Sequence, residues 1–515
     1  MAWRLRIAGL LFALAAVAAA ADPVRVDGGL IAGARDGDVL AYKGVPFAAP
    51  PVGPLRWRAP EAVKPWNGVR PATVFAPACL QNGISMPGEE PPLTSEDCLY
   101  LNVWTPTAGV QAKLPVLVWI HGGGFTNGSA SMPLYWGDRL ARRGIVVVTV
   151  SYRLGAFGFL AHPELSSETA QKSSGNYGFL DQIAALQWVQ RNIGAFGGDP
   201  GRVTIAGQSA GAMSVNILMA SPLAKGLFHR AIGQSGGFFE PVQIAPQFLL
   251  ANAEKDGVAF ASALGATSAG ALRGLPAEAV LKANAGRISH PVIDRHVLPR
   301  TPFEVFSERA QAPVPLLAGV NAEEARSLSD MSKIKAATFG ADIAKTFGPL
   351  PPPLLGAYPF VTDDEARAAR VAFETDLRFG WNMWTWARLH AASGAPVFSY
   401  RFAQRPPFPE NSPYAGWGPA HFAELWYMFD HLDQAPWSWR AEDRRAAELM
   451  TTYWVNFIKT GNPNGAGLPA WPAFAGPAGP LLVLTDKPTM GTPDRPAALA
   501  VFDTIYSQLR GAPLR

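Results

Sequence analysis

The chain has 515 residues, of which 48% are hydrophobic and 16% charged, with a formal net charge of +4. That balance permits a large buried core and lacks the strong basic bias of a nucleic-acid-binding protein. Its 51 glycines and 47 prolines imply many turns, yet Trp, Phe and Leu are interleaved with them, which excludes a long disordered chain.

Residues 1–21 read as a secretory signal. Arg4 and Arg6 supply a positive start, Ile7 to Val17 is a short apolar run, and Ala18 to Ala21 offers small-residue cleavage sites before Asp22. An uncleaved anchor is the alternative. Without Arg4 and Arg6 the formal charge falls from +4 to +2, near neutrality. No later stretch is long and apolar enough to span a bilayer. Residues 22–515 are expected to form one folded unit. The 2 cysteines, Cys79 and Cys98, suggest in an exported chain one disulfide closing a loop of about twenty residues; two free thiols are the alternative. No CxxC, HExxH or clustered His/Cys set occurs, so no metal is expected.

The segments "LPVLVWI" (114–120), "GIVVVTVSY" (144–152), "RVTIAG" (202–207), "VPLLAGV" (314–320) and "APVFSYRF" (395–402) read as strands. Several are apolar on both faces, as buried strands of a mostly parallel sheet are. Residues 178–193 carry apolar side chains at helical spacing, and 441–461 read as a helix with an acidic start and Gly461 as its stop. The Trp-dense stretch 378–394 reads as a helix whose aromatic stripe belongs to the core. Strands alternating with helices give an α/β fold. The Pro/Gly-rich stretches 44–60, 86–92, 349–353 and 405–413 are taken as loops within that unit, because the candidate site residues come from both sides of them.

One short stretch carries the chemistry. In "VTIAGQSAGAMS" (203–214), Ser209 sits between Gly207 and Gly211, after a β-branched run and before a helical one. That strand–turn–helix context suits a serine nucleophile, with its hydroxyl lifted out on a sharp turn; a tight polar connection is the bland alternative. A hydrolytic serine also needs a base, a group that orients the base, and N–H donors for the oxyanion. The donors are sought in Ala210, which follows the serine, and in "IHGGGF" (120–125), which follows a buried strand.

The chain as a whole resembles the type B carboxylesterases, the cholinesterase-like branch of the α/β-hydrolase fold. The resemblance runs through "YKGVPFAAPPVGPLRWRAP" (42–60), "SEDCLYLNVWTP" (95–106), "WIHGGGF" (119–125), "VSYRLGAFGFL" (150–160), residues 175–212, "HRAIGQSG" (229–236) and "YWVNFIKTGNPN" (453–464). It implies a large, mostly parallel sheet flanked by helices, with insertions that form a gorge. It also implies a serine mechanism without a cofactor, a signal peptide, and the Cys79–Cys98 loop. Of the 8 histidines, the family's base position falls on His421 in "GPAHFAELWYMF" (418–429). His431 is the runner-up, and His121 is structural on this reading. The family's Val-Asn-x-x-Glu loop puts the orienting acid at Glu324, with Glu323 the nearest competitor; Ala325 stands where the family commonly has Gly. The same matching gives Gly123, Gly124 and Ala210 as oxyanion donors and Ser235 as a residue holding the acid–base pair. Gln208 stands where the family often has Glu.

The resemblance thus implies a secreted carboxylic-ester hydrolase acting on small-molecule esters, similar to bacterial p-nitrobenzyl-esterase-like enzymes. The loop 80–97 contains no aromatic residue, which disfavours choline esters. The alternatives are a lipase, a specialised natural-product or xenobiotic esterase with the same residues, and a non-catalytic binding protein of the same fold.

Overall fold

The computed structural model describes residues 21–83, 86, 90–107, 112–348 and 350–511. Apart from Ala21, the expected signal segment lies outside them. The β-branched and apolar runs form the strands of an 11-stranded sheet. In chain order these are β1 (Ala34–Asp36), β2 (Val39–Pro46), β3 (Tyr100–Pro106), β4 (Leu114–Ile120), β5 (Val146–Val150) and β6 (Gly198–Gln208). They continue with β7 (Arg230–Gln234), β8 (Leu316–Asn321), β9 (Val397–Phe402), β10 (Leu481–Leu484) and β11 (Thr489–Gly491). Across the sheet the order is β11-β10-β9-β8-β7-β6-β4-β5-β3-β2-β1. Pairing is parallel from β5 through β4 and β6 to β10, and antiparallel at both margins.

The five strands expected from sequence are all present. β6 starts earlier than expected, because its register against β4 shifts between Gly198 and Val203. Burial of both faces explains their composition. Val116, Val118 and Ile120 of β4 pack into one core with α1 (Tyr177–Asn192) and α2 (Ala210–Ala220). Leu117 and Trp119 point the other way, into a second core. Farther along the chain, after several other helices, lie α3 (Asp363–Thr375) and α4 (Trp381–Ala391). The second core is closed by α5 (Ala441–Thr460), which ends where Gly461 takes a left-handed φ of 80°.

The Trp-dense segment is helical as expected, with Trp381 and Trp386 fully buried. A π-helical turn, Asp376–Gly380, interrupts it ahead of α4. Cys79 and Cys98 form a disulfide with their Cα atoms 4.9 Å apart. No helix of the described residues is long and apolar enough to cross a membrane.

Candidate active site

The carboxyl ends of the central parallel strands are where an open α/β sheet binds ligands, since loops and helix N-termini converge there. The sequence-selected residues lie at those ends. Ser209 follows β6 directly, Ser235 follows β7, Glu324 lies three residues past β8, and the glycine loop follows β4.

Ser209 has φ 57° and ψ −125°, a backbone conformation that is strained for any residue with a Cβ. Such strain costs about 1–3 kcal/mol and persists only where packing enforces it. Here the packing comes from the flanking glycines. A Cβ on Gly211 would stand 2.1 Å from the Ile120 carbonyl oxygen, and one on Gly207 would stand 2.4 Å from the Gly211 carbonyl carbon. The Gly-x-Ser-x-Gly spacing is what lets β6, α2 and the end of β4 meet. The turn projects Ser209 at the N-terminus of α2, where helix N–H groups favour developing negative charge.

The loop after β4 supplies further N–H groups. Gly123 and Gly124 have φ of 103° and 59°. Among the described residues, neither of their N–H groups donates a backbone hydrogen bond. A Cβ on Gly122 would lie 3.1 Å from the Ser209 Cβ, so the loop runs against the serine. His121 braces this loop. Its Nδ1–H donates to the Gly122 carbonyl at 2.9 Å, and its ring stacks on Tyr152 at 4.5 Å. Burial pulls its pKa down to about 4, so it is neutral at ordinary pH. The structural reading of His121 agrees with these contacts. His431 is also engaged elsewhere, with Nδ1 3.0 Å from the Leu134 carbonyl and Nε2 3.2 Å from Asp138.

His421 is 2% exposed, and its Nδ1 lies 2.6 Å from Glu324 Oε2. The backbone repeats the link: the His421 N–H donates to the Glu324 carbonyl at 3.2 Å. The other carboxylate oxygen of Glu324 accepts from Ser235 Oγ at 2.5 Å and from the Asn321 N–H at 2.6 Å. Glu324 is wholly buried with these partners. Its neighbour Glu323 turns outward to Arg326 and Arg405. Geometry therefore separates two acids that are adjacent in sequence.

Ser209 Oγ makes no hydrogen bond among the described residues, and contacts of this kind commonly tighten only when substrate binds. The Gln208 amide nitrogen lies 3.3 Å from His421 Nδ1 and 3.2 Å from Nε2. At these distances an atom in the ring plane would clash with Cε1, so the amide nitrogen lies over the face of the imidazole. The Phe379 ring also lies flat on His421, with centroids 4.4 Å apart and planes inclined by 14°. Phe379 belongs to the π-helical turn, a feature that recurs at functional sites.

A second buried carboxyl completes the site. Glu424, one turn past His421, accepts from Asn321 Nδ2 at 2.5 Å and from Gln234 Nε2 at 3.2 Å. Burial first, then the nearby charge of Glu324, pushes its pKa up to about 7. Asn321 thus touches both carboxyls. Sequence reasoning missed Glu424, Asn321, Gln234 and Phe379. A signal existed for two of them: Asn321 stands inside "VNAEE", and Glu424 interrupts the otherwise uncharged run "FAELWYMF" (422–429).

The profile of the carboxylesterase family matches residues 20–345 and 360–502. The chain belongs to the carboxylesterase family. Among its relatives, a fumonisin B1 esterase from Sphingopyxis macrogoltabida is 38% identical over 455 residues, covering 85% of this chain and 82% of the relative. The para-nitrobenzyl esterase of Bacillus subtilis is 36% identical, covering 90% and 94% respectively. A solved Geobacillus stearothermophilus carboxylesterase superposes with a TM-score of 0.80 at 35% identity, over 93% of this chain and 99% of that one. This carboxylesterase is a carboxylic-ester hydrolase with the α/β-hydrolase fold, of the type B, para-nitrobenzyl-esterase-like group.

Proposed function

We propose that this carboxylesterase hydrolyses small-molecule carboxylic esters through an acyl-enzyme on Ser209. His421 takes the Ser209 proton as Oγ attacks the ester carbonyl. The N–H groups of Gly123, Gly124 and Ala210 stabilise the oxyanion; losing one such donor typically costs about 3–4 kcal/mol of barrier. His421 then protonates the departing alcohol and activates the water that releases the acid. Glu324 fixes the tautomer of His421 and stabilises the imidazolium, with Ser235 and Asn321 holding Glu324 in turn. No cofactor takes part.

The observation that carries this reading is the 2.6 Å contact between buried His421 and buried Glu324, beside a serine on a strained strand–helix turn. Residues 22–515 act as one unit after removal of the signal segment 1–21. The disulfide suits an exported enzyme, periplasmic or extracellular. Two relatives, a fumonisin B1 esterase and a para-nitrobenzyl esterase, make esters of those two kinds the starting points for a substrate survey. Gln208 places no negative charge beside the site, so no preference for cationic esters is expected.

The test is Ser209→Ala on purified mature enzyme. Ester turnover should fall by at least about 10⁴-fold with the fold intact. A fluorophosphonate should label wild type at Ser209 and leave the variant unlabelled. Near-normal turnover in the variant would sink the assignment.

A further inference from the structure

The Glu324 bond fixes His421 at one ring nitrogen. A bond at a single nitrogen leaves the imidazole free to turn about Cβ–Cγ, a torsion with only broad minima of its own. The direction in which Nε2 points is therefore decided by what lies against the two faces of the ring.

Both faces are occupied. Phe379, 6% exposed, covers one, with ring centroids 4.4 Å apart and planes inclined by 14°. The Gln208 amide nitrogen also lies over a face, and a stacked phenyl ring leaves no room for it on the same side. The imidazole is clasped between Phe379 and Gln208, while Phe422 packs against it at 61° with centroids 4.5 Å apart. The two faces differ chemically. A phenyl face carries negative electrostatic potential and attracts a cation, whereas Gln208 is a neutral amide.

Phe379 is placed there by a built feature. Although buried, it is part of none of the apolar clusters that form the cores. It reaches His421 from the π-helical turn Asp376–Gly380, and that turn is anchored at its start. Asp376 accepts from the Tyr358 hydroxyl at 2.9 Å and from Arg495 Nε and Nη2 at 2.6 and 2.7 Å, a bidentate pair. At the other end a Cβ on Gly380 would stand 2.7 Å from Asp376 Oδ1, so the turn closes on its own anchor.

We propose that Phe379 is a positioning residue for the base. Its ring holds the plane of His421 so that Nε2 stays presented to Ser209. Its face also favours the imidazolium that forms when the Ser209 proton moves from Oγ to Nε2. This role rests on the Ser209–His421 reading and acts through His421.

The test compares Phe379→Leu, which keeps the apolar bulk and removes the flat face, with Phe379→Tyr, which keeps the face. Each is assayed on ethyl acetate and p-nitrophenyl acetate, so the acyl group is constant. Ethoxide must receive a proton from His421 to leave; p-nitrophenolate departs as the anion. Phe379→Leu should lower kcat/KM for ethyl acetate by about 10- to 100-fold, through kcat with KM within about threefold. The loss on p-nitrophenyl acetate should be smaller by about fivefold or more. Phe379→Tyr should stay within about threefold of wild type on both. If Phe379→Leu does not fold, Phe379→Met, which also lacks a face, takes its place. Three results in folded variants overturn the role: a loss under threefold without the face, equal losses on the two esters, or a Tyr variant as impaired as Leu. None of them touches the catalytic reading, which fails separately if Ser209→Ala retains turnover.

Discussion

Replacing Gln208 by Glu puts a carboxyl where a neutral amide now lies over the face of His421. The amide nitrogen is 3.2 Å from one ring nitrogen and 3.3 Å from the other, so the new charge would sit within about 4 Å of the imidazolium centre. At an effective dielectric constant of about 20, two unit charges at that separation attract by about 4 kcal/mol. Gln208 is fully buried, so the carboxylate loses hydration, which removes part of the gain. A net stabilisation of the imidazolium by about 1–3 kcal/mol remains as the expectation. The sign follows directly. A stabilised imidazolium loses its proton only at higher pH, so the acid limb of kcat/KM moves up. The assay is a pH–rate profile with a neutral ester at constant ionic strength, with Gln208→Met as the uncharged control. An acid limb within about 0.3 units of wild type in a folded Gln208→Glu enzyme would refute the reasoning, because it would mean that Gln208 and His421 are not electrically coupled.

Glu324→Gln should lower kcat by about 10²–10⁴-fold, while Glu323→Gln, whose partners are surface arginines, should stay within about threefold; the reverse pattern in steady-state kinetics would move the acid by one residue. Glu424 links stability to pH. Its folded-state carboxyl is pushed up to about 7, well above its unfolded value, so its contribution is fully present below about pH 4.5 and is lost as pH rises through 7. Across that window the loss amounts to about 3 kcal/mol, and urea midpoints at pH 5 and pH 8 should lie closer together in Glu424→Gln than in wild type. Converting both Cys79 and Cys98 to Ser removes a cross-link across a sequence separation of 19 residues and should cost about 3 kcal/mol, read as a lower urea midpoint that added reductant does not lower further.

The parts of this enzyme that were legible in its sequence are those fixed by local chemistry. Strands such as Val146–Val150 are buried on both faces and therefore read as unbroken apolar runs. The Ser209 turn was legible because only glycine fits beside it, at 207 and 211. The choice between Glu323 and Glu324 rested on family resemblance. Neighbouring residues differ in direction, not in composition, and it is the turn after β8 that sends one inward and the other to Arg405. Residues 1–20 of the signal-like segment lie outside the described residues, so the fold adds nothing to that reading.

What stayed hidden was long-range. Glu424 meets Asn321 across 103 residues and Gln234 across 190, and no local pattern encodes either contact. Phe379 was grouped with the Trp-dense core stripe. That holds for Trp381 and Trp386, but the π-helical turn offsets the helix ahead of α4, and the Phe379 ring lands on His421 instead.

With Ser209 as the proposed nucleophile, its strained backbone makes turnover sensitive to how tightly the turn is packed. Its φ of 57° is maintained only while Gly207 and Gly211 are pressed against the end of β4. Any loosening that lets α2 ride a fraction of an ångström off the sheet frees the serine to relax into an ordinary turn, with nearly all secondary structure still in place. On gentle heating, ester turnover should therefore fade before circular dichroism changes, and recover on cooling. Turnover in this enzyme reports how tightly the sheet and its first helices are clamped, at a resolution that bulk spectroscopy does not reach.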